Sequence, residues 1–180
     1  SPLLFEYSAA YWSFHAKVLR HMSLDDIDRR ILTALQRNGR MSNSDLSEKV
    51  HLSPSACHRR VQRLEAEGYI RDYVALLNPR KMGVPTTVFV EITLQGQADE
   101  VLDAFEKAVA RIPDVLECHL MAGQADYLLR VAAADLKGFD AIHRDCLARL
   151  PGVSAIRTSF AIRRIRDWQG YRLRGLRASA

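Results

Sequence analysis

Several classes of protein are excluded by what this 180-residue sequence has little of. It has three cysteines, an odd number that cannot form a complete disulfide framework, and this favours a reducing compartment such as the cytoplasm. No run approaches the roughly 18 to 20 apolar residues of a membrane-spanning helix, which excludes an integral membrane protein. Because 48% of the residues are hydrophobic and 26% are charged, disorder along the whole chain is also excluded.

The first 21 residues are rich in aromatic side chains, but they do not have the pattern of a signal peptide. Glu6, Ser8, Ser13 and His15 interrupt the apolar run, and no basic region precedes it. Met22 then opens a well-patterned segment. We therefore predict that residues 1–21 are an added or upstream-translated extension.

The net charge of +5 is distributed unevenly. Basic and acidic residues nearly balance over residues 22–76, acidic residues are in excess over 77–156, and the basic excess lies in 157–180. DNA binding therefore cannot be inferred from global charge and requires a motif with locally placed basic side chains. The basic C-terminal tail, residues 167–180, is interpreted either as a solvated end or as a sequence-independent contact with DNA phosphates.

The spacing of apolar residues predicts three short helices in the first part of the chain. Each follows a serine that can act as its N-cap, and these serines are Ser23, Ser42 and Ser53. Pro54 occupies the first position of the third helix, where its missing N–H costs nothing, and Gly68 ends that helix. The second and third helices, joined by a tight turn, are typical of a helix-turn-helix.

The third helix has an apolar side and a polar, basic side that would enter the major groove. At about 100° of rotation per residue, Arg59 lies at the centre of the polar side, where it can donate two hydrogen bonds to a guanine. Arg60 and Arg63 are placed to reach phosphates. The predicted DNA-binding residues are Ser42, Asn43, Ser53, Ser55, His58, Arg59, Arg60, Gln62 and Arg63. A solvated helix carrying three arginines is the alternative interpretation.

The second part of the chain alternates strands and helices. Residues 69–77 show a weak strand pattern, and turn residues at 78–85 indicate a linker. The order βαββαβ follows: the predicted strands are 87–94, 115–121, 127–132 and 153–165, and the predicted helices are 98–111 and 135–150. Such a duplicated unit folds as a four-stranded antiparallel sheet with both helices on one face.

One face of this predicted sheet carries no helix and needs cover. The strand positions concerned are those of Val88, Val90 and Ile92 or their alternates. A second copy of the chain can cover the face, so we expect an obligate dimer formed through the C-terminal half.

Two further groups of residues have alternative interpretations. The pairs Cys57-His58, Cys118-His119 and His143 with Cys146 could be metal ligands or a thiol with its base, but no C-x-x-C spacing exists and buried cysteine is a common core residue. The segment 123–126 between two strands is explained either as a turn stabilised by Asp126 or as a pocket for an amino acid. In the pocket interpretation Asp126 binds the ammonium group and N–H groups beside Gly123 bind the carboxylate.

Many dispersed segments match one family in the same order. They are residues 24–32, 38–43, 52–54, 57, 59–61, 63–65, 68–70, 117–120, 123, 126–129 and 150–153. Together they resemble the Lrp/AsnC, or feast/famine, transcriptional regulators over roughly residues 24–166.

The resemblance implies an α+β protein with an N-terminal winged helix-turn-helix, residues 22–77, and a C-terminal ferredoxin-like effector domain, residues 86–166. It also implies dimers that commonly assemble into octamers, with amino-acid ligands held between dimers. The implied ligand neighbourhood is His119, Met121, Gly123, Gln124, Asp126, Tyr127, Thr158, Ser159 and Phe160. Gln124 stands where the family usually has Asp, which favours a neutral amino acid over a cationic one, and Ala56 stands where a second proline is common.

We therefore predict a cytoplasmic, nucleoid-associated transcription regulator that binds double-stranded DNA as an oligomer and responds to an amino acid. We expect neither enzymatic activity nor a cofactor. Two other classes remain open. A metabolite sensor that has lost DNA binding would show no salt-dependent affinity for duplex DNA, and an enzyme would lose its activity when a cysteine or histidine is replaced.

Overall fold

The computed structural model describes residues 24–173, so the predicted extension at residues 1–21 lies outside the described part of the chain. The described residues divide into two compact units. Residues 24–75 together with 168–173 are referred to as the N-terminal unit, and residues 76–167 as the C-terminal unit. Between residues 24 and 173, no helix has both the length and the apolar character needed to cross a membrane.

The N-terminal unit contains three helices, α1 (Asp26–Arg37), α2 (Asn43–Val50) and α3 (Pro54–Ala66). The N-cap of α1 is Asp25, so the prediction of Ser23 is wrong. The Asp25 carboxylate accepts the Asp28 N–H at 2.8 Å, and the Asp28 carboxylate accepts the Asp25 N–H at 3.3 Å. Two acidic residues at this spacing satisfy two otherwise free N–H groups reciprocally, which one serine further upstream cannot do.

Serines cap the other two helices, as predicted. Ser42 accepts the Asp45 N–H at 3.1 Å, and Ser53 accepts the Ala56 N–H at 3.3 Å. The core of the unit draws apolar side chains from all three helices; its buried members are Ile31, Leu32, Ala34, Leu46, Val50, Cys57 and Leu64. The last two belong to the predicted apolar side of α3, which the structure confirms.

The strand predicted over residues 69–77 does not form. Its side chains are largely exposed, with Val74 73% and Leu76 80% accessible, and the segment has no ladder partner to take its N–H and C=O groups. Tyr73 instead donates a hydrogen bond to the Glu65 carboxylate at 2.8 Å. Burial of the phenol, together with this bond, raises the pKa of Tyr73 to about 12.

The C-terminal unit has the predicted βαββαβ order. Its elements are β1 (Thr86–Leu94), α4 (Asp99–Val109), β2 (Val115–Leu120), β3 (Tyr127–Ala133), α5 (Leu136–Asp145) and β4 (Val153–Phe160). All strand pairs are antiparallel, and the strands lie in the order β2-β3-β1-β4. Strands β2 and β4 therefore form the two edges of the sheet.

Two predicted elements extend well beyond their observed C-terminal ends. Helix α5 ends at Asp145 because Cys146 leaves the helical conformation, and a 3₁₀ turn, Leu147–Arg149, follows. Strand β4 ends at Phe160 and not at residue 165. Phe160 pairs with Val88, near the beginning of β1. The Ala161 N–H makes the last hydrogen bond to β1, and the described residues after it have no neighbouring strand to pair with.

The sheet has a helix-covered face and an open face. The side chains of Val88, Val90 and Ile92 are fully buried with Phe105 of α4 and Phe139 of α5 in one core. Because side chains alternate along a strand, the remaining positions form what we refer to as the open face; it includes Phe89, Glu91, Glu117, His119, Leu128, Arg130, Arg157 and Ser159. Of the two faces considered above, the helices thus cover the face of Val88, Val90 and Ile92, and its alternate is the uncovered one.

Gly152 provides a test of the packing between β4 and α4. Its φ is +73°, and a Cβ at this position would lie 2.8 Å from Cγ1 of Val101. We expect Gly152→Ala to lower the free energy of unfolding by about 2 to 3 kcal/mol, from backbone strain and steric overlap. Gly83 has a φ of +77° with no atom within 4 Å of the added Cβ, so Gly83→Ala should cost about 1 kcal/mol. Equal losses in urea unfolding would contradict the packing assigned to Gly152.

Candidate DNA interface and effector site

The polar side of α3 is exposed along its length. Ser55, His58, Arg59 and Gln62 are all accessible, while Cys57 is fully buried beneath them. Arg59 lies at the centre of this surface. The helix therefore presents hydrogen-bonding side chains of the kind that read base edges in a major groove.

The turn between α2 and α3 is held by side chains that were predicted to bind DNA. Asn43 donates from Nδ2 to the Pro54 carbonyl at 2.9 Å, which joins the start of α2 to the start of α3. His51 ends α2 in the left-handed conformation, with φ 60° and ψ 50°. Ser42 and Ser53 accept backbone N–H groups as helix caps. These residues fix the geometry of the turn, and their contact with DNA remains a prediction.

Arg60 and Arg63 bind carboxylates of α1, and their contact with phosphates remains a prediction. The guanidinium of Arg60 donates to Asp25 at 2.6 Å and to Asp28 at 2.7 Å. Arg63 donates to the other oxygen of Asp28 at 2.5 Å. We refer to these four residues as the ion-pair cluster. It forms because the carboxylates that cap α1 lie against the side of α3.

The cluster neutralises a buried charge. Only 1% of the Asp28 side chain is accessible, while 29% of Arg60 and 45% of Arg63 remain accessible. Partial burial by itself raises the pKa of Asp25, but the Asp28 N–H, together with the hydrogen bond and charge of Arg60, outweighs it, and the net shift is downward. The only sequence signal for this cluster is the pair of acidic residues Asp25 and Asp28, three positions apart. The sequence analysis missed their ion pairs with α3, because those pairs join residues that are distant in the sequence.

The loop of residues 121–126, which includes the predicted effector segment 123–126, connects β2 to β3. The Met121 N–H donates to the Asp126 carbonyl at 2.8 Å and closes the loop. The Asp126 carboxylate accepts the Leu94 N–H at 2.7 Å and Nε2 of Gln97 at 2.8 Å. Gly123 and Gln124 are exposed at the tip. The Asp126 carboxylate therefore holds the loop to the end of β1 and to Gln97, and does not bond the backbone of its own turn as the turn interpretation expects.

Tyr127 points to the helix-covered side of the sheet, where it lies in the core and is one of the residues that line a cleft between α4 and β2. Its side chain is 1% accessible, and its ring packs against Phe105 with the centroids 4.4 Å apart. The hydroxyl donates to Glu106 at 2.8 Å. Burial and this bond raise the pKa of Tyr127. Its inward orientation follows from its register opposite Ile92 on the helix-covered face.

Residues 158–160, also in the implied neighbourhood, lie far from the loop within one chain. Tyr127, which follows the loop, pairs with Ile92, whereas Phe160 pairs with Val88 four residues earlier on β1. This separation is about 13 Å along the strand, and β4 is the opposite edge from β2. One chain therefore does not bring residues 158–160 and the loop into one pocket.

The remaining predicted ligand residue, His119, lies on the open face, where Nε2 is 3.6 Å from the Glu117 carboxylate.

Cys118, the neighbour of His119, faces the other side of the sheet and lines a cleft of about 440 Å³ between α4 and β2. Desolvation and the nearby Glu106 carboxylate raise the pKa of the Cys118 thiol to about 11. A thiol protonated at neutral pH is a poor nucleophile.

The helix-turn-helix with its exposed α3, joined to a separate α+β unit, defines a DNA-binding transcription regulator with a ligand-binding domain. Comparison with protein families agrees with this class. Residues 24–71 match a winged helix-turn-helix DNA-binding domain, and residues 87–169 match the Lrp/AsnC ligand binding domain.

Individual relatives are similar over most of the chain. The leucine-responsive regulatory proteins of Escherichia coli (strain K12) and Klebsiella pneumoniae are each 44% identical over 144 residues, covering 80% of this chain and 88% of theirs. An AsnC family transcriptional regulator from Agrobacterium tumefaciens superposes with a TM-score of 0.79 at 36% identity, covering 83% of this chain and 97% of that one. A transcriptional regulator of Neisseria meningitidis in complex with L-methionine gives 0.77 at 36% identity, with coverages of 81% and 94%.

The chain belongs to the Lrp/AsnC family. It is a transcription regulator that binds DNA through its helix-turn-helix and an amino acid through its C-terminal domain. The predicted family, fold class and general function are therefore confirmed.

Replacing Asp28 tests the ion-pair cluster. Asp28→Ala leaves two arginines without their shared carboxylate, and we expect a loss of about 2 to 3 kcal/mol in the free energy of unfolding. The matched control is Asp26→Ala, since the Asp26 side chain is 87% exposed and, among residues 24–173, pairs only with Arg29 on its own helix. That control should cost less than about 0.5 kcal/mol. A loss for Asp28→Ala no larger than the control's would contradict the cluster.

Proposed function

We propose that α3 reads DNA through Ser55, His58, Arg59 and Gln62, and that the ion-pair cluster holds α3 in the orientation this requires. The proposal rests on the different environments of the three arginines of α3. Arg59 is exposed and has no carboxylate partner among the described residues, whereas Arg60 and Arg63 are bound to Asp25 and Asp28.

This division assigns specificity and positioning to different side chains. An exposed guanidinium can donate two parallel hydrogen bonds to a guanine. A guanidinium held on carboxylates has fewer N–H groups left for phosphates, so Arg60 and Arg63 act chiefly by positioning α3. Because the protein acts on DNA, we place it with the bacterial nucleoid in the cytoplasm.

We further propose that two chains pair through their open faces. Phe89 lies on the inner strand β1, between Arg130 on β3 and Ser159 on β4, and is 39% exposed in one chain. The charged residues around it are already paired, as in Glu117 with Arg130 and Glu91 with Arg157. Such a face can be buried by a symmetric copy without leaving isolated charges. Larger assemblies, including the octamer, remain an expectation from the family resemblance.

The amino-acid site is proposed at the 121–126 loop and is completed by another chain. The exposed tip residues Gly123 and Gln124 supply N–H and amide groups, and Asp126 keeps unused lone pairs for an ammonium group. Since residues 158–160 are remote within one chain, they can join this site only from a neighbouring chain. With Gln124 uncharged, a neutral amino acid is favoured.

The base-reading role is tested by selecting bound duplexes from a random pool and then measuring variants on the selected site. We expect Arg59→Ala to cost about 1 to 3 kcal/mol on that site and to relax the preference at one base pair. Arg149→Ala, which removes an exposed arginine from the 3₁₀ turn of the C-terminal unit, should change little. An equal loss for Arg59→Ala on selected and random duplex would overturn the assignment.

The dimer is tested by placing a charge in the centre of the open face. Phe89→Glu would bury two like charges across a symmetric interface, and we expect the chain to become monomeric at micromolar concentration by light scattering. Leu136→Glu changes an equally apolar residue, 67% exposed at the start of α5, and should leave the dimer intact. A wild-type monomer, or a dimeric Phe89→Glu, would contradict this interface.

The ligand preference is tested by restoring an acidic residue in the loop. Gln124→Asp should shift the ratio of affinities for L-lysine and L-leucine about fivefold toward lysine, as expected for ~1 kcal/mol from one added close charge pair. Ala148→Asp adds the same charge at an exposed position of the 3₁₀ turn and should leave the ratio unchanged. Calorimetry measures both ratios. An unchanged ratio in Gln124→Asp would place the pocket elsewhere.

A further inference from the structure

The end of the described chain returns to the DNA-binding domain and is bound there by one side chain. Gln36, near the end of α1, accepts the Tyr171 N–H at Oε1, 2.6 Å away. The same carboxamide donates from Nε2 to the Tyr171 carbonyl at 3.2 Å. One side chain thus satisfies both backbone groups of Tyr171, as a neighbouring β-strand residue would.

Close packing accompanies these two hydrogen bonds. Leu173 is partly buried against the core of the N-terminal unit. Gly170 has a φ of +82°, and a Cβ there would lie 2.7 Å from Oε1 of Gln36. Glycine is therefore required twice, by the backbone conformation and by the approach of Gln36. The ring of Trp168 packs edge-on against Tyr171 with the centroids 4.9 Å apart. This is a defined docking and not the geometry of a solvated end.

The docking changes the connectivity between the two units. The chain passes from the N-terminal unit to the C-terminal unit through the linker, and it returns through residues 161–167, which have no regular structure. A domain on a single linker can reorient widely. A second connection that is anchored at its end restricts this reorientation.

We propose that residues 168–173 form a strap that anchors the DNA-binding domain and limits its movement on the linker. The inference rests on the proposed function, because the movement matters when two domains of a dimer must meet half-sites about one helical turn apart. Firmly held domains accept a narrow range of half-site spacings. Released domains accept a wider range, because less free energy is needed to adapt to each spacing.

Docking is measured first, without DNA or ligand. In the full-length wild type, we expect the Tyr171 amide to exchange its hydrogen at least about tenfold more slowly than in an unstructured peptide. Gln36→Ala removes its acceptor and Gly170→Ala introduces the clash, so both should lose this protection. An unprotected Tyr171 amide in the wild type would overturn the proposal.

Half-site spacing is measured next, by selecting duplexes in which the bound half-sites are moved apart base pair by base pair. We expect the wild type to prefer one narrow spacing, and Gln36→Ala and Gly170→Ala to bind the same half-sites over a wider range. The control is Gly68→Ala, because Gly68 has a φ of +76° with no atom within 4 Å of an added Cβ. It should keep the wild-type spacing.

The outcomes separate the strap from the proposed function. If neither the wild type nor any variant binds duplex DNA, the proposed function fails. Hydrogen exchange then still decides whether residues 168–173 dock. If all proteins bind but the two strap variants keep the narrow spacing, or if the wild type already tolerates every spacing, the strap is overturned and DNA binding is retained.

Discussion

A single buried carboxylate determines how the DNA-binding domain is put together. Asp28 is inaccessible to solvent, and such a charge is tolerated only when its lone pairs and its charge are both matched. It caps α1 together with Asp25, and it binds two arginines of α3. The same group therefore begins one helix and orients another. Because α3 carries the side chains that we propose read bases, the geometry of that recognition would depend on a residue buried inside the domain.

The ion-pair cluster contributes two arginines and two aspartates to the nearly balanced charge of this part of the chain. Two of the three arginines of α3 are offset by carboxylates of α1, so they add little to a long-range attraction for phosphates. The exposed Arg59 remains as the basic group best placed for a base edge. On the proposed function, such a domain would gain more of its affinity from local contacts than from a strong basic field, and this would favour discrimination between sequences over non-specific binding.

The sequence predicts those features that depend on neighbouring residues and misses those that depend on distant ones. Ser42 and Ser53 were identified as caps because a cap acts within three residues. The βαββαβ order followed from the periodicity of each segment. By contrast, the extent of β4 depends on where β1 begins, and residues 69–77 remain without a strand because no partner lies beside them. The bonds of Arg60 to Asp28 and of Asp126 to Leu94 span more than thirty residues, beyond any local pattern.

The family resemblance points to two segments for a ligand, and the structure limits how these segments can cooperate. Asp126 is occupied in holding its loop to β1, and residues 158–160 end the opposite edge strand. A pocket that uses both regions needs two chains, which makes ligand binding and assembly two aspects of one equilibrium. Phe160 is followed directly by residues 161–167, which lead to the segment bound by Gln36. A neighbouring chain that engages the end of β4 would therefore act on the start of this connection, and it would reach the DNA-binding domain along the chain itself.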